Sequence, residues 1–225
     1  ILINLFGYFI RLKKMPTNTL TYQAFSESKR LHNIGFNTWY SNVLSLAEEY
    51  EVNLDTMDKD SVKLHLALRY KENWLKQIND INKNSSLRTY CQLKSEYKLD
   101  PYLTLIKNYS YRNALSRLRV NSHLLEIERG RHTVPTTPIE RRVCSFCSVV
   151  ETEYHFATEC LLYDVDRQIL FSSISSRFPE FSQLDNVCKF KFMLTFPDEQ
   201  LLSSVGKFIF KCFEKRKLMT ETQPS

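Results

Sequence analysis

Three of the chain's six cysteines lie within 17 consecutive residues with a histidine among them, in the order Cys144-x2-Cys147-x7-His155-x4-Cys160. Two cysteines separated by two residues direct both sulfurs into one turn, where backbone N–H groups steady the thiolates. A histidine and a third cysteine complete the four donors that zinc takes as a tetrahedron. The seven-residue spacer is long enough for a tight reversal that brings His155 back over the Cys144–Cys147 turn. His155 and Cys160 are five apart, about 140° around an ideal helix, so they do not share one face of a straight helix. The spacing predicts a non-helical turn between them, or a helix starting close to Cys160. With four protein ligands the ion keeps no open position for water, so zinc here would be structural. It would hold a segment too poor in apolar residues to fold alone. The same residues admit a redox pair, but no βαβ pattern surrounds Cys144 and Cys147. They also admit disulfides, but nothing in the sequence indicates secretion. Cys91, Cys188 and Cys212 read as small core hydrophobes.

A basic stretch precedes and adjoins this cluster. Arg112, Arg117, Arg119, Arg129, Arg131, Arg141 and Arg142 are opposed only by Glu126, Glu128 and Glu140. Arginine suits bidentate phosphate contact and stacking on bases. Tyr102, Tyr109 and Tyr111 lie nearby and are the type that stacks on unpaired bases. The seven arginines are therefore the candidate nucleic-acid contacts. The competing reading pairs them with helical acids or with carbonyls at helix ends.

These groups must be positioned by helices, because the periodicity is helical on both sides of the cluster. Ile1–Ile10 reads as the buried face of a helix. Thr19 to about Asn33 reads as a helix stopped by Gly35, and Thr38 to Glu51 carries Trp39, Val43, Leu46 and Tyr50 at helical spacing. A longer helix runs from Asp60, read as its cap, to about Asn82, with Leu64, Leu68, Leu75 and Ile78 as its stripe. Residues 82–86 read as a break, and Leu87 to Lys98 as another helix. Asp100-Pro101 is a cap-plus-first-turn signal. Ser110–Val120 and Leu124–Arg129 read as helices, the second closed by Gly130. Arg131–Arg142, with Pro135 and Pro138, reads as an extended loop. Leu162–Phe178 and Gln183–Phe196 return to helix. Between Asp198 and Leu218, Leu201, Leu202, Val205, Phe208, Ile209, Cys212 and Phe213 form one apolar stripe. Lys207, Lys211 and Lys215 lie opposite it as a solvated row. The last residues, 220–225, read as a frayed tail. The fold class is mostly α: a helical bundle-like array with a small irregular zinc-binding loop inserted. The organisation is an N-terminal helical region over 1–84, a helical basic region over 85–130, the zinc-binding loop over 131–161 and a C-terminal helical region over 162–225.

Composition sets the outer bounds. The chain has 225 residues, 43% of them hydrophobic and 25% charged, which places it outside the disordered and membrane-spanning classes. Four glycines argue against a phosphate-cradling glycine loop or a turn-dense β sandwich. A net charge of +6 is compatible with nucleic acid without demanding it. The opening apolar run is far short of the roughly 20 residues a membrane span needs. Its basic residues follow it, the reverse of a secretory signal. The sequence therefore points to an intracellular protein, and a first residue other than Met points to a piece of a longer product. No adjacent aspartate pair of the kind that holds two metals for polymerase chemistry is present, nor is an endonuclease-like set of acids and histidines. No catalytic residue is expected.

The runs Ser122-His-Leu-Leu-Glu-Ile-Glu-Arg-Gly-Arg131, Pro138-Ile-Glu-Arg-Arg-Val-Cys144-Ser-Phe-Cys147 and Glu151-Thr-Glu-Tyr-His155-Phe-Ala-Thr-Glu-Cys160-Leu-Leu-Tyr163 resemble the C-terminal zinc-binding region of reverse transcriptases from non-LTR (LINE-type) retrotransposons. The match runs from about Leu115 to Tyr163. The resemblance implies a nucleic-acid-associated tail beyond the polymerase thumb, one that helps engage element RNA and target DNA, in the nucleus or cytoplasm as a ribonucleoprotein. Carried over by residue, Cys144, Cys147, His155 and Cys160 would hold the metal, and Arg129, Arg131 and Arg142 would be the foremost basic contacts. The polymerase part of the same polyprotein would be a partner. The alternative is a helical protein-interaction module in which zinc is only a staple. Neither reading calls for a membrane or a small-molecule substrate.

Overall fold

In the computed structural model, which describes residues 1–80 and 87–221, the chain divides into two compact units, Ile1–Gln77 and Ile78–Ser225. The break expected over 82–86 and most of the expected tail lie outside the described residues.

The first unit contains α1 (Leu2–Lys13), α2 (Leu20–Asn33), α3 (Trp39–Glu49) and most of α4 (Lys59–Asn79). Local chemistry sets its helix starts. The Thr19 hydroxyl accepts from the Tyr22 N–H at 3.2 Å, and Thr38 forms a reciprocal capping box with Ser41. Gly35 takes φ +94° after α2, a backbone that other residues rarely adopt. Phe6, Phe9, Phe25, Val43, Val62 and Leu66 make the core, with Phe9 meeting Phe25 edge-on at 5.4 Å. Both tryptophans belong to this unit: Trp39 opens α3, and Trp74 lies in α4. Two expectations for α4 are corrected. Asp58, not Asp60, caps it, accepting from the Ser61 N–H at 2.8 Å. Its buried residues are Val62 and Leu66, while Leu64 and Leu68 are 63% and 52% exposed. Residues two apart stand about 200° apart on a helix, so only one of these two pairs can face the core.

The second unit contains α5 (Arg88–Leu93), α6 (Tyr102–Leu105), α7 (Tyr109–Arg119), α8 (Glu126–Arg129), α9 (Glu153–Thr158), α10 (Asp164–Arg177), α11 (Asn186–Thr195) and α12 (Glu199–Glu221). Its centre is α12, whose stripe from Leu201 to Cys212 is buried as its periodicity requires. Asp198 caps α12 through the Leu201 N–H at 2.7 Å and is gripped by both terminal nitrogens of Arg177. The principal neighbour of α12 is α7. Gly206 makes that approach possible, since a Cβ there would stand 2.9 Å from the Tyr111 carbonyl oxygen.

One core takes residues from all three segments of this unit read separately in the sequence. Leu115 and Leu118 come from the basic region, Cys144, Phe156 and Cys160 from the metal loop, and Val205 and Ile209 from the C-terminal helices. α5 is shorter than expected because Lys94 leaves the helix to reach the Lys98 carbonyl and Asp100. Asp100 does not cap α6, since its carboxylate is taken up by Lys94 and Arg119. Among the described residues the one isolated bridge is antiparallel, between Val143 and Val150. Among the described residues no helix is long and apolar enough to cross a membrane.

Candidate metal centre

The bridge between Val143 and Val150 is the reversal that the cysteine spacing requires. The Cys144 N–H donates to the Val149 carbonyl at 2.7 Å, and the Ser148 N–H donates back to the Cys144 carbonyl at 2.9 Å. Ser148 closes the turn with φ +56°. The knuckle so formed carries Cys144 and Cys147 on one end. Thr152 then caps α9, accepting from the His155 N–H at 3.0 Å, so His155 sits in the first turn of a short helix. The Cys160 N–H donates to the His155 carbonyl at 2.8 Å as that helix ends. Cys160 is extended, with φ −56° and ψ 125°, and a 3-10 turn over Leu161–Tyr163 begins after it. The five-residue spacing thus works by a helix that stops at Thr158, two residues before Cys160, where a loop or a later helix was expected. Losing the helical twist at its end lets both side chains point the same way.

All four ligand atoms lie within 4.8 Å of one another. The Cys160 sulfur stands 3.7 Å from that of Cys144 and 3.9 Å from that of Cys147. These are close contacts between free thiols, far from the roughly 2.05 Å of a disulfide. His155 is 4% exposed, and neither ring nitrogen has a hydrogen-bond partner. Such orphans are expensive in a folded core, and a cation among the four residues would take up one of the two nitrogens. The nearest acid, Glu159, holds an oxygen 3.6 Å from Nδ1. Burial pulls the imidazole's pKa down, which favours the neutral form that ligates metal. Burial also pushes the Cys160 thiol up to about 12, and the neighbouring Cys144 and Cys147 sulfurs push the same way. Three thiolates can share this space only around a positive ion. The Leu161 N–H donates to the Cys147 sulfur at 3.4 Å, and buried Arg167 fixes the Cys160 carbonyl at 2.9 Å. The cluster can therefore hold a metal ion, with its three sulfurs and one imidazole directed inward.

Sequence reasoning gave no role to the acids that seat this loop. Glu151 is buried and bound by Arg216 of α12, while its second oxygen accepts from the Glu126 N–H at 2.7 Å. Burial raises its carboxyl pKa despite the Arg216 charge. Glu153 accepts from His123 Nε2 at 2.7 Å, from Asn121 Nδ2 at 2.7 Å and from Arg88. Burial opposes ionisation there, but the His123 hydrogen bond and the Arg88 charge hold the carboxyl below its ordinary range. The visible signal was two acids, Glu151 and Glu153, placed within four residues of the ligand His155.

The seven arginines do not form one continuous basic face. Arg119 is 2% exposed, pairs with Asp100 and donates to the Leu194 carbonyl. Arg142 is buried and holds the loop by donating to the Thr137 and Ile127 carbonyls, each at 2.8 Å. As candidate contacts these two are corrected: their guanidinium groups are occupied inside the protein. Arg112 donates to the Ile106 carbonyl at 2.8 Å. Arg129 and Arg131 pair with Glu126 and Glu128 one turn earlier. Arg117 donates to the Ser122 carbonyl and lies over the Phe213 ring. Arg141 is exposed, at the end of a 3-10 turn. Three of the seven nevertheless share ground. Arg117, Arg129 and exposed Leu124 line a cleft of about 180 Å³ with Phe213. A second cleft of about 550 Å³ shares Arg117 and Leu124 and adds Arg131 and His132. Cys188, expected in the core, is exposed at the start of α11, where Asp185 accepts from its N–H. Cys212 is buried as expected, and Cys91 is half-buried.

Compared with known proteins, the chain matches no family model, no curated protein and no solved structure.

Proposed function

We propose that the chain is the zinc-stapled, nucleic-acid-binding C-terminal region of a non-LTR retrotransposon reverse transcriptase, itself without catalysis. The observation that carries this reading is the convergence of Cys144, Cys147, His155 and Cys160 in the unit that also carries the clefts bearing Arg117, Arg129 and Arg131. Zinc is favoured by size. Zn–S bonds of about 2.3 Å at tetrahedral angles separate sulfurs by about 3.8 Å, against the 3.7 and 3.9 Å found here. Three sulfurs and an imidazole are also a common structural zinc set, closed to water. RNA or DNA would reach Arg117, Arg129 and Arg131 along the paired clefts, with exposed Leu124 offering apolar surface to splayed bases.

A second reading has a specific observation behind it. Arg119, Arg129 and Arg131 are each paired to a carboxylate, the pattern of a helical protein-interaction module in which zinc is only a staple. Two measurements separate these readings and test the metal. Purified protein should contain one zinc per chain, and cobalt substitution should give the thiolate charge-transfer and visible bands of a tetrahedral sulfur site. Cys144→Ser should lose both, and wild-type protein free of zinc would end the metal argument. Binding of a fluorescent single-stranded RNA should weaken steeply between low and moderate salt, as counterion release demands. The double variant Arg129→Ala, Arg131→Ala should bind less tightly while keeping its zinc. Absent or salt-independent binding selects the protein-interaction module.

A further inference from the structure

Away from the metal centre, the end of α7, the end of α11 and the segment after α5 border a cavity of about 270 Å³ with an excess of buried positive charge. Lys94 and Arg119 line it, with side chains 7% and 2% exposed. Both turn to the same oxygen of Asp100, Lys94 Nζ at 2.9 Å and Arg119 Nη2 at 3.1 Å. Lys94 also donates to the Lys98 carbonyl, and Arg119 Nη1 to the Leu194 carbonyl in the last turn of α11. Lys98, on the rim, pairs with Glu96 at the surface. Two buried cations therefore share one carboxylate. The end of α11 contributes a partial negative charge of about one half, which leaves the pair short of neutrality. Two of the three N–H groups of Lys94 are used; Arg119 Nε has no hydrogen-bond partner but is sealed from the cavity, its guanidinium lying over the Tyr102 ring. An uncompensated buried charge is costly, and with the remaining Lys94 N–H it defines what is missing: a small anion with several acceptor oxygens.

We propose that this cavity is a binding site for a phosphate-class oxyanion, which neutralises the surplus charge of Lys94 and Arg119 and accepts from the unused Lys94 N–H. The site stands independently of the metal centre and of the proposed function. Its ligand is either free phosphate or a phosphodiester of a nucleic-acid backbone, which present the same oxygens.

The test reads the Arg119 Nε–H resonance by nitrogen-15 NMR, assigned by its loss in Arg119→Lys. Inorganic phosphate is titrated at ionic strength held constant with sodium chloride. A saturable shift is expected. In Lys94→Met, which leaves Arg119 and Asp100 a balanced pair, the phosphate affinity should fall about tenfold or more, the worth of one charge-assisted hydrogen bond. Should Lys94→Met not fold, Thr195→Glu serves instead. Thr195 is exposed on the cavity's rim, and a carboxylate there should compete with phosphate to a similar degree. A dephosphorylated single-stranded oligonucleotide that gives the same shift and displaces phosphate identifies the backbone as the source; one that does neither identifies free phosphate. Equal, unsaturating drifts in phosphate and chloride would overturn the proposal, as would unchanged phosphate affinity in whichever folded variant is used.

Discussion

His155 and Cys160 show how a residue's protonation state and its place in the fold become one question. The buried thiol holds its proton to about pH 12, whereas the imidazole's pKa is pulled down by burial. A metal ion must displace protons from the three sulfurs and hardly any from the ring. Affinity should therefore rise with pH through the neutral range and collapse as acid returns protons first to thiolate and then to imidazole. Calorimetry in two buffers of different ionisation enthalpy should show proton release on zinc binding; equal heats in both would contradict it. Glu159, 3.6 Å from Nδ1 and 41% exposed, is placed to orient the ring. Glu159→Gln should lower zinc affinity by about tenfold, near the low end for such orienting acids because it is half in water. Cys188→Ser should leave zinc content unchanged, since that thiol is exposed and has no part in the cluster.

At the scale of elements, α12 organises the second unit through two unlike devices. Arg216, 6% exposed, ties it to Glu151 and Glu126, and so to both flanks of the metal loop. Arg216→Met should destabilise by roughly 3 kcal/mol or more, because Glu151 would be left buried and unpaired. Gly206 allows α7 to approach. In Gly206→Ala, helix propensity gains about 1 kcal/mol, but the new methyl meets a backbone carbonyl at 2.9 Å, which cannot swing aside. Overpacking should win, for a net loss of about 1–2 kcal/mol in urea unfolding; a stabilised variant would show that α7 can shift. The α12 stripe was legible in the sequence because one apolar set repeats without a rival. The α4 stripe was misread because Val62/Leu66 and Leu64/Leu68 are rival sets of equal spacing, and only packing chooses between them. The four ligands were legible because local spacing alone brings them together. Burial of Arg119 and Arg142 was not, since their partners Leu194 and Ile127 lie 75 and 15 residues away.

At the scale of the molecule, the two units have separate cores, and the metal ligands belong entirely to the second. Both tryptophans belong to the first. The chain thus carries its own optical division of labour. Chelation should erode far-ultraviolet ellipticity from the metal-bearing half while indole emission stays at its native wavelength. Red-shifted emission on adding chelator would mean that the halves melt together. Indole fluorescence alone would report a healthy fold in a protein that had already lost its metal.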